Sequence, residues 1–596
     1  MAARPVGHVL RRAAPGLALT VLLCQTVGGL ATTAWLMATA TALNALVGPV
    51  ANAQRLLQAA PALLACGGLY VLKLALDGAT AWARARLVPR VQQAAQSQLL
   101  DASLHVDLAA FDDAGFYDQL HRARDRGVMH MQGASDCLVE ALSALLAVLG
   151  AALALVWLKP MLLPVLAIAL WPQAWGAFAV ARLQFASMPA TISLTRQVGM
   201  LAELATERES APEIRSYQAQ AYLRDEHGRS AQALQDHLVA LGLAEAKTRT
   251  LARAASGLGL AFTFAVLGWL LWTDQLALAV AGTTVIAVRA AGASVEHLVQ
   301  VASELFEKAL YLADYQAFLD QARQRAPRGG AEAAPAAPAL IALDQVSFHY
   351  EGQRSRPALQ DVSLQIRAGE TVALVGENGS GKTTLAKLLA GLYTPSRGTV
   401  QWDGTDVRRF TPESVADRVA MVLQHPVRWP RSARDNVRIG RHDRAVGAEA
   451  ALQRAASLSR ADEVVARLAQ GWDTLLSRHF RGGTDLSSGQ WQRLAVARGL
   501  YRDAPIVIWD EPTAPLDAKA EYAVYESLRQ LSAGRTVVLI THRLASVRNA
   551  DRILFLEQGR LVEQGRHEEL LALNGRYAEL YRLQARLHGI EPASTS

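Results

Sequence analysis

Six apolar runs, each about 20 residues or longer, crowd into the first half of this chain: 16–47, 56–76, 137–158, 161–180, 251–272 and 276–298. A helix needs about 20 apolar residues to cross the hydrocarbon core of a bilayer. Lipid offers no hydrogen bonds, so the backbone of each run must satisfy itself as a helix. Burying all six inside a water-soluble protein is the competing explanation, and it has to account for every one of them. The 51% hydrophobic composition over 596 residues favours a membrane component, and the length predicts two or more domains.

The basic start "MAARPVGHVLRRAAPG" resembles a signal peptide. The apolar run behind it exceeds the roughly 7–15 residues of a signal h-region, so it reads as a retained first span. Arg4, Arg11 and Arg12 precede span one, Arg84, Arg86 and Arg90 follow span two, and Arg182 and Arg196 follow span four. The positive-inside rule places these arginines, and with them both termini, on the cytosolic side. The short links "LKP" and "TDQ" then face outward. The long connections 88–136 and 182–250 have helical periodicity and mixed charge, as helical stalks in water would. The multi-pass pattern suggests a bacterial inner or plasma membrane. Only about 15 residues precede span one, so no N-terminal protease domain is expected. The net charge of +7 comes without a basic tract or an aromatic-interleaved patch, so juxtamembrane arginines explain it and no nucleic acid partner is expected. Cys24, Cys66 and Cys137 lie in or beside apolar runs and read as small core residues.

The stretch 323–339, "RQRAPRGGAEAAPAAPA", has no periodicity and reads as a linker. Beyond it, "TVALVG", "APIVIW" and "RTVVLIT" alternate with helical segments, which predicts an α/β domain on a mainly parallel sheet. The expected division is therefore an all-α six-span domain with stalks at 1–322, the linker, and an α/β domain at 340–596.

Gly376-Glu377-Asn378-Gly379-Ser380-Gly381-Lys382-Thr383 fits the P-loop pattern between a strand-forming and a helix-forming run. The glycines let the backbone wrap phosphates, Lys382 neutralises their charge, and Thr383 offers a hydroxyl to Mg²⁺. Thr384 completes the ATP-binding set. "PIVIWDEP" supplies the second half: Asp510 ends an apolar strand and can hold Mg²⁺, and Glu511 is placed to act as general base. Gln424 and His542 are polar residues at the ends of "VAMVL" and "VVLIT", where Gln424 joins the metal set and His542 would face the γ-phosphate. Tyr350, in "VSFHY", is a candidate to stack on adenine. A second anion-seeking helix start lies about a hundred residues on, in "TDLSSGQWQRLAVARGL". There Ser487 and Gln490 are spaced as a capping box, and Leu494, Ala497 and Leu500 repeat on one face.

In order and spacing these segments resemble the ATP-binding-cassette family, and six spans before one cassette look like its exporter-type half-transporter. The resemblance implies roles for Leu486, Ser487, Ser488, Gly489 and Gln490 as the signature, and for Asp517 in a further loop at the nucleotide. It also implies that two cassettes pack head to tail, with the signature helix of one closing over ATP on the other. That explains two helix starts in one chain. One P-loop and one signature per chain imply a homodimer, or a heterodimer with a related half. Ser488 stands where the family usually has glycine, which raises the question of a backbone cost. By the same resemblance, 111–125 and 209–220 hold coupling helices, with Phe116, Tyr117, Ile214 and Tyr217 as contacts; ordinary stalk packing is the alternative.

Lys73 and Asp77, four apart in span two, and Arg289 in span six are ionisable residues within apolar runs. Such residues either line a substrate path or form structural pairs. The expected activity is ATP-driven export of an amphipathic small molecule, lipid or peptide, with ATP and Mg²⁺ required. A regulatory membrane ATPase and an importer on the same fold are the alternatives.

Overall fold

The computed structural model describes residues 14–47, 52–158, 160, 162–208, 210–273, 275, 278–327, 329–351, 357–511, 534–541 and 547–587. The chain divides into two compact units, Met1–Leu104 with Asp118–Ala322, and His105–Tyr117 with Arg323–Ser596. The segment His105–Tyr117, expected among the stalks, thus belongs with the C-terminal unit.

The first unit is helical. Its long helices are α1 (Pro15–Val47), α2 (Asn52–Leu104), α4 (Val128–Leu158), α5 (Leu162–Thr206), α7 (Gln220–Trp272) and α8 (Leu278–Gln324). The short α3 (Ala114–Arg122) crosses from one unit to the other, and α6 (Ala211–Ser216) links α5 to α7. Apart from α1, which coincides with the first expected span, these helices continue past the apolar runs. Among the described residues, five of these helices are long and apolar enough to cross a membrane, with window hydropathies of 1.2 to 2.2. The fourth expected span falls on α5, where several side chains lie outside the described residues.

Large apolar side chains face outward along these helices, among them Leu57, Leu64, Trp171, Phe178 and Trp272. In water such exposure costs about 25 cal/mol per Å²; lipid removes that cost. Between helices the packing relies on small residues, because the approach is close. A Cβ at Gly150 of α4 would lie 2.5 Å from Thr33 Oγ1 of α1, and one at Gly176 of α5 would lie 2.1 Å from Ala252 Cβ of α7. Leu36, Ala151, Ala154, Leu267, Leu270, Ala287 and Ala291 make the core where α1, α4, α7 and α8 meet.

The second unit carries two sheets. An antiparallel sheet has the order β2-β1-β4-β5, from Leu359–Arg367, Leu340–Phe348, Arg397–Trp402 and Thr405–Asp406. A six-stranded sheet has the order β10-β9-β3-β8-β7-β6. Its strands are β3 (Thr371–Gly376), β6 (Val419–Val422), β7 (Ile506–Asp510), β8 (Thr536–Ile540), β9 (Arg552–Glu557) and β10 (Arg560–Gly565). All pairs in it are parallel except β9 with β10. Strands β7 and β8 are buried at every position and β3 at all but its first, which is why they read as unbroken apolar runs. Parallel strands all end on one edge, so β3, β6 and β7 deliver their C-terminal residues together.

The expected linker begins inside the last turn of α8, which runs to Gln324, and its middle is tied down. Gly330 N–H donates to the carbonyls of Arg408 and Phe410, Thr411 N–H donates to Glu332 O at 2.8 Å, and Ala334 is buried. Its lack of periodicity reflects an extended strap along 408–414.

Helices α9 (Lys382–Leu389), α10 (Pro412–Asp417), α11 (Ala433–Arg438), α12 (Ala448–Ser459), α13 (Ala461–Val465), α14 (Ser488–Arg502), α15 (His567–Ala572) and α16 (Arg576–Leu587) flank the sheets. α14 packs so closely on β6 that a Cβ at Gly499 would lie 2.5 Å from Val422 Cγ2. Gly499→Ala would gain about 1 kcal/mol of helix propensity but overpack the contact by about 1–3 kcal/mol. A net loss in thermal midpoint is expected by calorimetry; a rise would show that the contact has room to spare.

Candidate functional site

β3 ends at Gly376, the loop turns, and α9 starts at Lys382. Gly376 has φ +143° and Gly381 φ +101°. A Cβ at these positions would lie 2.1 Å from Leu556 O and 2.6 Å from Ala358 O, so only glycine lets the backbone through. Glu377, Asn378 and Gly379 form the exposed rim of the loop. Lys382 is 7% exposed, and its Nζ donates to Gly376 O at 2.9 Å and Glu377 O at 2.7 Å. Burial pushes its ammonium pKa down, against the pull of Glu511, Asp510 and Glu377. The Ser380 hydroxyl is buried without a hydrogen-bond partner. A buried cation, an unpartnered hydroxyl and the open end of a helix form a cradle for an anion with several acceptor oxygens.

Beside it, Thr383 Oγ1 donates to Asp510 Oδ2 at 3.2 Å. Asp510 ends β7, is 5% exposed, and has its carboxyl pushed up by burial. A hydroxyl and a desolvated carboxylate are the hard oxygen donors that suit Mg²⁺ next to phosphates. Glu511 follows in the left-handed region, at φ +47°. For a non-glycine residue that conformation costs about 1 kcal/mol or more. Its N–H is held by Ile540 O at 3.0 Å, and its carboxylate accepts from Gln424 Nε2 at 2.7 Å. Gln424, two residues beyond β6, therefore sits against the general-base candidate. The hydroxyls of Thr384 and Tyr350 lie 2.8 Å apart, which ties the half-buried Tyr350 to α9. His542 and Asp517 lie outside the described residues.

The second anion-seeking helix start forms as expected. Ser487 caps α14, with Ser487 N–H donating to Gln490 Oε1 at 2.8 Å and Gln490 N–H to Ser487 Oγ at 3.3 Å. Leu486 is buried, and Ser488 and Gly489 open the helix. Ser488 has no positive φ, so its position makes no conformational demand for glycine. Asp485 braces this start, a role that no local residue pattern announces. Trp491 Nε1 donates to Asp485 Oδ1 at 3.0 Å, and the Leu486 N–H donates to the same oxygen at 2.9 Å. Trp491 above all holds the Asp485 carboxyl below the usual carboxylate range. Arg498, further along α14, donates to Asn436 O at 2.9 Å and Val427 O at 3.2 Å, and fixes the loop after Gln424. Burial pulls its guanidinium down to about 10, still charged at neutral pH.

The structure separates the remaining candidates. Phe116 is fully buried under the Arg325 guanidinium, whereas Tyr117 is exposed. On α6 and its C-terminal flank, Ile214 is half-buried and Tyr217 is 74% exposed. No salt bridge joins Lys73 and Asp77; Lys73 is half-buried on α2, and Asp77 and Arg289 are exposed.

The family described as ABC transporter matches residues 359–514. The chain is 43% identical over 245 residues to an ATP-dependent lipid A-core flippase of Alkalilimnicola ehrlichii, covering 41% of each protein. It is 44% identical over 261 residues to a flippase of the same name in Burkholderia thailandensis, covering 44% of this chain and 43% of that one. These matches span about two-fifths of the curated relatives' length. Among solved structures, a bacterial Atm1-family ABC exporter with ATP bound aligns with a TM-score of 0.78 at 25% identity, over 97% of this chain and 99% of the other.

Trp491→Phe keeps the buried ring and removes the donor to Asp485. A depressed carboxyl stabilises the fold above the ordinary carboxylate range, and that contribution is lost as pH falls through the depressed value. The variant is expected to be about 1 kcal/mol less stable than the parent at pH 7 and to converge with it in strong acid. Thermal melts across pH check this; a pH-independent difference would show that the ring, rather than the bond, matters.

Proposed function

We propose that this chain is an exporter-type half-transporter of the ATP-binding-cassette family and moves a lipid or similar amphiphile out of the cytosolic leaflet, driven by ATP hydrolysis at sites shared by two copies. The observation that carries this reading is the convergence of Lys382, Ser380, Thr383, Asp510, Glu511 and Gln424 at one sheet edge, in a chain whose other unit is built of long apolar helices. The flippase names of the two relatives favour a lipid over a polar solute. The flippase relatives and the bacterial exporter structure support placement in a bacterial inner or plasma membrane, and the arginine pattern supports cytosolic termini.

In this mechanism Lys382 exchanges the carbonyls of Gly376 and Glu377 for β- and γ-phosphate oxygens, which suit a desolvated ammonium better. Ser380 gains the partner it lacks. Thr383, Asp510 and Gln424 would hold Mg²⁺, which when bound would neutralise charge on the phosphates. Tyr350 offers its ring to adenine. Glu511 orients the attacking water and takes its proton, with Gln424 holding the carboxylate in place. His542 and Asp517 retain their proposed roles at the γ-phosphate and in the loop beside it. The signature, Leu486 to Gln490, presents the free N–H groups of α14 to the nucleotide on the second copy. Phe116, Tyr117, Ile214 and Tyr217 serve coupling, and Lys73, Asp77 and Arg289 serve the cargo path.

The protein reconstituted alone in lipid vesicles should hydrolyse ATP in a Mg²⁺-dependent way and move a fluorescent lipid between leaflets. Glu511→Gln should still bind ATP but lose turnover by about 10²-fold or more. Rapid turnover by the variant would refute the role of Glu511. Hydrolysis without lipid movement would refute the flippase reading.

A further inference from the structure

The segment His105–Tyr117 is chain from between α2 and α3, yet it is built into the nucleotide-binding unit. Leu108 and Ala109 pack on that unit's core. Asp113 accepts from Arg325 at 2.9 Å, and the same guanidinium donates to Glu351 at 2.7 Å and lies over the Phe116 ring. Asp107 N–H donates to Arg325 O at 3.1 Å. Arg325 and all of these partners belong to the same unit.

One bond in this cluster leads to the nucleotide site. Tyr393, which follows α9, donates its hydroxyl to Asp112 Oδ2 at 2.5 Å. Its ring is stacked on Phe348 with centroids 4.9 Å apart and meets Tyr350 edge-on at 5.9 Å. Phe348 also meets Tyr350 edge-on at 5.1 Å. Tyr350 in turn is tied by its hydroxyl to Thr384, next to the phosphate-facing Lys382 and Thr383. Three packed rings thus carry a hydroxyl at each end, one fixed to His105–Tyr117 and the other to the phosphate-binding helix. Lys387 Nζ, 3.5 Å from the Tyr393 hydroxyl and over its ring, holds the tyrosine from the α9 side.

We propose that Tyr393 is a positioning residue that transmits nucleotide occupancy to the segment His105–Tyr117 through its hydrogen bond to Asp112. The inference rests on the reading of Tyr350 as the residue that faces adenine. A ring that turns to face a base alters its edge contacts with Phe348 and Tyr393. Tyr393 can answer only by shifting against Asp112, because close-packed rings leave no slack. Differential contact in the two states is what makes a packed chain a coupling element rather than a scaffold.

The test uses the full chain in lipid nanodiscs, with Glu511→Gln as parent so that ATP persists. Hydrogen–deuterium exchange is followed in peptides covering 105–117 and 376–389, with and without ATP and Mg²⁺. In the parent, ATP should slow exchange in both. Adding Tyr393→Phe, which keeps the ring and removes the hydroxyl, should leave ATP affinity and the protection of 376–389 intact. It should weaken the ATP-dependent change in 105–117 by about 5-fold or more. Asp112→Ala removes the acceptor of the same bond at an exposed position and covers the case in which the tyrosine variant fails to fold. The double variant should do no more than either single one. An undiminished ATP response in 105–117, or additive effects, would overturn the proposal. No ATP protection of 376–389 in the parent would overturn the nucleotide reading, and this inference with it.

Discussion

Taking an ammonium out of water costs several kcal/mol unless acceptors surround it, and Lys382 is almost wholly buried with two carbonyls as its acceptors. Much of the C-terminal unit can be understood from that placement. β3 must end where the lysine begins a helix, and the loop between them needs glycine at 376 and 381 because neighbouring backbone comes too close for a side chain. The adjacent strand β7 brings Asp510 into the same dry region, where burial disfavours its charge as well. On the proposed reading, a polyphosphate and its metal would satisfy two oppositely charged groups that are each poorly solvated. The site is preorganised for charge that arrives with the ligand.

The same logic explains the strain at Glu511. A left-handed backbone at a strand end directs the carboxylate to Gln424, and the bond from its N–H to Ile540 keeps the sheet edge closed behind it. Asp485 and Trp491 act similarly at the start of α14: a side-chain bond holds a helix end whose own backbone groups are left for something else. Serine in place of glycine at 488 fits, because the residue lies in the first turn of a right-handed helix.

The helical unit obeys a different constraint. Its outward faces are apolar and its inward contacts are made by glycine and alanine, because helix association in lipid depends on close packing more than on hydrophobic burial. The second unit holds its own ion-pair and aromatic cluster, in which Arg325 joins Asp113, Glu351 and the Phe116 ring.

Local pattern was enough for much of this protein. A run of apolar residues long enough to span is a helix in lipid whatever surrounds it, and the P-loop, the strand ending in Asp510 and the capping box at Ser487 are short-range chemistry. What local pattern could not hold was pairing at a distance. The strand order β3-β8-β7, the meeting of Gln424 with Glu511, the bond from Trp491 to Asp485 and the docking of His105–Tyr117 each join residues by geometry, without a signal at either one. Tyr393 shows this most clearly. In the sequence it is one aromatic after a helix, and only the folded chain sets its hydroxyl against a carboxylate 281 positions away. Residue type and spacing determine which elements form and which chemistry they can carry; tertiary packing decides which side chains share a dry, crowded space, and there a hydrogen bond or a charge counts for most.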